Sequence, residues 1–140
     1  MQRPFFRFSA NVLPVITLSL VGLYLIFFHT YSILFVSSPV IIAWLSALVL
    51  KMIFRKLRPH NRVVSALFKG EKIFSFPSEH SAIFAALGVA MYSINHILGA
   101  VLLMAAFLIG ISRAIIGVHF WRDILGGWSL GIILALIFFI

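Results

Sequence analysis

The sequence predicts an all-α integral membrane protein, a bundle of about five transmembrane helices, and three observations predict it. Hydrophobic residues make up 63% of the 140 positions and charged residues only 10%, against roughly 25% charged in a soluble domain. The apolar residues fall into five runs, 12–28, 40–54, 82–94, 97–116 and 124–140, each bounded by a polar or basic break. The basic residues gather in alternate breaks, as they do when a chain crosses a bilayer back and forth. A spanning helix takes about 20 mostly apolar residues, so this length accommodates five or six spans in a single domain, 1–140, and no second one.

The first run follows Met1-Gln-Arg-Pro-Phe-Phe-Arg7, which has the basic character of a signal peptide's opening. The apolar run after it is too long for a signal core and has no clear small-residue cleavage site, so it reads as a retained first span, kinked at Pro14. The second and third runs look short until residues 51–58 extend one helix by snorkelling and Ser78 to Ser81 cap the start of the other. The third and fourth form a hairpin through Asn95 and His96. In the fifth, Gly127 and Gly131 make a small-xxx-small pair suited to close helix packing. The one long polar connection, residues 59–77, is where function is expected.

Eleven Lys and Arg against three Asp and Glu point to an anionic partner, and in a membrane chain that means lipid headgroups or a phosphorylated substrate rather than nucleic acid. Cysteine is absent, which excludes disulfides, thiolate metal sites and a cysteine nucleophile.

Charged groups in or near a bilayer are costly and tend to mark a working site. Here they form three clusters. In Lys51-Met-Ile-Phe-Arg-Lys-Leu-Arg58-Pro59, Lys51 and Arg58 fall two turns apart on one helical face and can grip one phosphate; the alternative is a basic stop at a span's end. In Phe76-Pro77-Ser78-Glu79-His80, Ser78 caps a helix whose first backbone N–H groups suit an anion, with His80 as the titratable donor beside them. The alternative there is an ordinary cap and a structural histidine. In the third, Ser112-Arg113 is followed by His119 and Asp123 at i,i+4, so that a continuing helix would let the carboxylate hold one ring nitrogen and leave the other free to attack. An isolated pair of this kind would be a structural contact at a helix end.

Taken together, Lys-x6-Arg-Pro, Pro-Ser-x-His and Ser-Arg-x5-His-x3-Asp resemble, in order and spacing, the three-part signature of the type 2 phosphatidic acid phosphatase superfamily, PAP2. The resemblance covers Lys51 to Asp123, about half the chain. It implies a cofactor-free, metal-independent phosphatase that works through a phosphohistidine. His119 would be the nucleophile and Asp123 its orienting carboxylate. Lys51, Arg58, Ser78 and Arg113 would cradle the phosphoryl oxygens, while His80 would protonate the leaving oxygen and later take a proton from water.

Two departures stand out. Glu79 occupies the usual Gly position of Pro-Ser-Gly-His, and an acidic residue there is similar to the Pro-Ser-Asp-His motif of bacitracin-resistance-type undecaprenyl diphosphate phosphatases. The resemblance therefore implies a polyprenyl diphosphate substrate, with phosphatidic acid or phosphatidylglycerol phosphate as alternatives and a non-catalytic lipid-binding protein as the rival class. The soluble vanadium haloperoxidases share the motifs but not this composition. The second departure is size, five spans where membrane members usually have six. With five, the N-terminus, residues 59–77 and residues 117–123 share one side, and every Lys and Arg lies there or at its helix ends. The positive-inside rule then predicts a plasma-membrane protein, bacterial by its resemblances, with a cytoplasmic active-site face, although the undecaprenyl enzymes it resembles are expected to work outward. Oligomeric state is left open.

Overall fold

The computed structural model describes residues 4–28, 32–59 and 74–139. Among them are six helices: α1 (Pro4–Asn11), α2 (Leu13–Phe28), α3 (Ile33–Phe54), α4 (Glu79–Tyr92), α5 (His96–Ile115) and α6 (Trp121–Phe138). Among the described residues, four stretches are long and apolar enough to cross a membrane: Pro4–Phe28, Ile33–Phe54, His96–Ile115 and Trp121–Phe138. With α4 between them, they form the expected bundle.

The expected kink in the first span is present. Pro14 has no N–H to donate to the Ala10 carbonyl, and the helix breaks at Val12, separating α1 from α2. The second span is longer than expected, because Ser37-Ser38-Pro39 lies inside α3 instead of preceding it. Ser38 Oγ donates to the Leu34 carbonyl at 2.5 Å, so its hydroxyl is satisfied within the helix and needs no water.

α4 departs furthest from a standard span. Its 14 residues reach about 21 Å at 1.5 Å per residue, short of a hydrocarbon core about 30 Å thick. It does not face lipid along its length, because α3, α5 and α6 pack around it and nine of its residues are buried. The expected hairpin to α5 is made by Asn95, whose side chain accepts from the Leu98 N–H at 3.0 Å and caps the helix that begins at His96.

The packing is close because the interfaces are lined with small residues. Ala43, Ala47, Ala82, Ala86 and Ala135 form one buried cluster between α3, α4 and α6. At Gly131 a Cβ would lie 2.2 Å from the Ala82 carbonyl oxygen, and at Gly127 one would lie 2.5 Å from that of Ser78. Only glycine lets the two backbones approach this far. Large apolar side chains point outward instead: Leu20, Phe27, Leu34, Ile97, Met104 and Ile137 are all more than 60% exposed. Such a surface would be untenable in water and is what lipid contact calls for.

Candidate active site

The site begins where α3 stops. Arg55 takes a left-handed conformation (φ 46°) and returns its N–H to the Lys51 carbonyl, ending the helix. The chain leaves in extended form, and Leu57 pairs with Phe74 in an isolated antiparallel bridge, with the Ser75 N–H donating to the Lys56 carbonyl at 2.7 Å. This bridge sets Lys56 beside Ser75, with Arg58 following on the same short segment. Arg58 is therefore not on a helical face with Lys51, as the seven-residue spacing suggested, because α3 ends at Phe54. Both side chains are nonetheless buried at the same end of the bundle.

α4 and α6 begin at that end. The Ser78 N–H donates to the Asp123 carbonyl at 2.9 Å, tying the two helix starts together. Ser78 is the N-cap of α4, and its Oγ accepts from the Ser81 N–H at 3.4 Å and from the Ser81 hydroxyl at 3.0 Å. His80 follows in the first turn, half-buried. Glu79 places its carboxylate 2.5 Å from Lys51 Nζ, so the residue that departs from the signature is the ion-pair partner of a buried cation.

His119 and Asp123 do not share a helix. Gly117, at φ 78°, turns the chain after α5; His119 sits in the connection and α6 starts at Trp121. Asp123 caps α6, with Oδ2 accepting from the Phe120 N–H at 2.9 Å and Oδ1 from Lys56 Nζ at 2.7 Å. Asp123 Oδ2 lies 3.9 Å from His119 Nδ1, too far for a hydrogen bond. Ser75 fills the gap, its Oγ contacting Asp123 Oδ2 and lying 3.2 Å from His119 Nδ1. The direct histidine–carboxylate contact expected from the i,i+4 spacing is thus replaced by a serine bridge.

Burial pushes the His119 imidazole down to about 4, and Arg113, Arg58 and Lys51 push in the same direction against the opposing pull of Asp123. The ring is therefore neutral near pH 7, with its nitrogen lone pair available. The same three cations are the ones a phosphoryl group would meet. Arg113 is anchored from an unexpected quarter: its Nη1 donates to the Ala10 carbonyl at 3.4 Å, the carbonyl that Pro14 leaves without a helical donor. Ser112, by contrast, turns its hydroxyl back to the Leu108 carbonyl at 2.7 Å and serves its own helix.

Residues 31–140 match the family model of the PAP2 superfamily. The chain belongs to that superfamily. Curated PAP2 relatives include the bacitracin transport permease protein BcrC of Bacillus licheniformis, 37% identical over 76 residues, covering 54% of this chain and 37% of that one. Phosphatidylglycerophosphatase B of Bacillus subtilis strain 168 is 39% identical over 75 residues, covering 46% of this chain and 37% of its own. The chain thus spans well under half the length of either relative. Two solved structures share the fold nearly throughout, each at 26% identity and a TM-score of 0.76. Aquifex aeolicus LpxE covers 96% of this chain with 83% of its own, and a PAP2-type phosphatidylglycerolphosphate phosphatase from Bacillus subtilis covers 99% with 77%.

Set on the PAP2 fold, the seven residues picked from sequence all lie where α3 and α5 end and α4 and α6 begin. Sequence reasoning missed two side chains, Lys56 and Ser75. Lys56 stood in a basic run, with nothing to set it apart from Arg55. Its ammonium lies 4.8 Å from the Phe120 ring centroid and 5.8 Å from that of Phe76, held against Asp123 between two rings. Ser75 is fully buried three residues before the cap, in a stretch with no periodicity to mark it.

Proposed function

We propose that this PAP2 protein is an integral membrane lipid phosphatase that hydrolyses a phosphate ester or diphosphate through a phosphohistidine on His119. The observation that carries the reading is a buried His119, held at Nδ1 by Ser75, at the end of the bundle where Lys51, Arg58 and Arg113 are also buried. His119 Nε2 attacks phosphorus; a P–N bond forms as the P–O bond to the leaving group breaks, and His80 protonates that oxygen. Water then attacks the phosphohistidine while His80 takes its proton, the P–N bond breaks, and inorganic phosphate leaves. The three cations stabilise the charge that builds on the phosphoryl oxygens.

The substrate we favour is a polyprenyl diphosphate. Glu79 already holds Lys51, so a phosphoryl group must compete with a carboxylate for that ammonium. A diphosphate carries more charge than a monoester and competes better. The acidic residue at position 79, similar to that of the bacitracin-resistance enzymes, supports the same choice. The similarity to a protein named phosphatidylglycerophosphatase B favours phosphatidylglycerol phosphate as a second reading.

The test is phosphate release by the purified protein in micelles with excess chelator, offered undecaprenyl diphosphate, phosphatidic acid or phosphatidylglycerol phosphate. Release should be fastest from the diphosphate, persist in chelator, and fall by roughly 10³-fold or more in a folded His119→Ala variant. No release from any lipid would favour the non-catalytic lipid-binding alternative, and activity restored only by a divalent metal would refute the metal-independent mechanism.

A further inference from the structure

We propose that Ser75 is a positioning residue, the bridge by which Asp123 fixes the tautomer of His119; the proposal rests on the phosphohistidine reading and gives it a missing part. Asp123 does not reach the ring itself, since Oδ2 stops 3.9 Å from Nδ1. Ser75 Oγ touches both groups. An ionised carboxylate only accepts, so the single Ser75 hydroxyl hydrogen goes to Asp123 Oδ2. The same oxygen then has only lone pairs left for His119, and Nδ1 must be the nitrogen that carries hydrogen. In a neutral imidazole this places the free lone pair on Nε2, the atom required to attack. One hydroxyl thereby decides which ring nitrogen is the nucleophile.

The bridge is held on every side. Ser75 is fully buried, and its backbone N–H is fastened to the Lys56 carbonyl at 2.7 Å beside the Leu57–Phe74 pair. The Lys56 side chain fixes the other Asp123 oxygen at 2.7 Å, and the Phe120 N–H adds a third hold at 2.9 Å. The two segments joined at the bridge thus each grip the carboxylate directly, Lys56 at Oδ1 and Ser75 at Oδ2. When the P–N bond forms and the ring becomes positive, the Nδ1–H···Oγ bond strengthens and passes the stabilisation on to Asp123 without moving a proton. Because Ser75 is enclosed, it acts through His119 and does not touch the lipid.

Two variants separate this role from simple packing. Ser75→Ala removes the hydroxyl, whereas Ser75→Cys keeps nearly the same volume with a thiol that hydrogen-bonds poorly. Both should lower kcat roughly 10- to 100-fold with KM little changed, by analogy with losses seen when an orienting partner of a functional histidine is removed. Nitrogen NMR of the ligand-free protein in micelles should show the wild-type His119 protonated on Nδ1 and a mixed tautomer in both variants. A normal kcat in Ser75→Cys with a loss only in Ser75→Ala would assign the effect to packing and overturn the proposal, as would an unchanged tautomer in both. The tautomer is read without substrate, so it tests the bridge even if the lipid assay shows the wild type to be inactive.

Discussion

Asp123 shows how densely roles are assigned at the scale of single residues. One carboxylate caps α6, pairs with Lys56 and accepts from Ser75. His119, held at the far end of that chain, is neutral because it is buried and because Arg113, Arg58 and Lys51 oppose its protonation. Its ionisation therefore falls to about 4 from an ordinary 6.5. The sign follows: between those values the unfolded chain binds a proton that the folded chain refuses, so the histidine makes folding less favourable as pH drops through that window, and the cost levels off below about 4. An NMR titration of ligand-free protein should show the His119 ring neutral at pH 5.5, with a midpoint near 4. A midpoint near 6.5 would mean that the ring is neither buried nor surrounded by the three cations. The histidine and its carboxylate were legible in the sequence as residue types at a fixed spacing. Ser75 was not, because its importance comes from a bridge to Lys56 that joins two ends of a long connection, and no local pattern reports such a pairing.

At the scale of elements, the apolar runs gave the number and order of helices, and tertiary packing changed their limits. α3 runs through Ser37-Ser38-Pro39 because the serine hydroxyls bond back within the helix, and α4 stays short because its neighbours enclose it. The spacing of Lys51 and Arg58 pointed to the right two cations through a helix that ends before the second. The glycine pair in α6 was legible as a packing device, and its purpose is now specific: it brings the start of α6, with Asp123, against Ser78 and the start of α4. Gly131→Ala would place a methyl group on the Ala82 carbonyl and push these helices apart. The expected cost is about 1–3 kcal/mol of stability, measured by denaturation in micelles, with activity lost in parallel because the site straddles the interface. An unchanged midpoint would show that the two backbones are not in close contact. Pro14 links elements in a similar way, since the carbonyl it frees in α1 receives Arg113 from α5.

Among the described residues the bundle is polarised, with the buried side chains of Lys51, Arg58, Arg113, His119 and Asp123 gathered at one end. The opposite end is tied by neutral contacts such as Asn95 with Tyr24 and Phe35 with Phe139. This division is economical in a membrane, where each charge away from the interface is costly unless it lines a polar site. The basic residues counted by the positive-inside rule gather at this same end, so a cytoplasmic site face stays an expectation from sequence. The central claim is that a covalent phosphohistidine forms on His119 at this end. It is tested most directly by mixing the purified protein with lipid labelled in its terminal phosphate, quenching within one turnover in alkaline detergent, and mapping the label by peptide. The account predicts alkali-stable label on the peptide containing His119 and none in His119→Ala. Turnover with no trapped label, or label on the peptide containing His80, would contradict it.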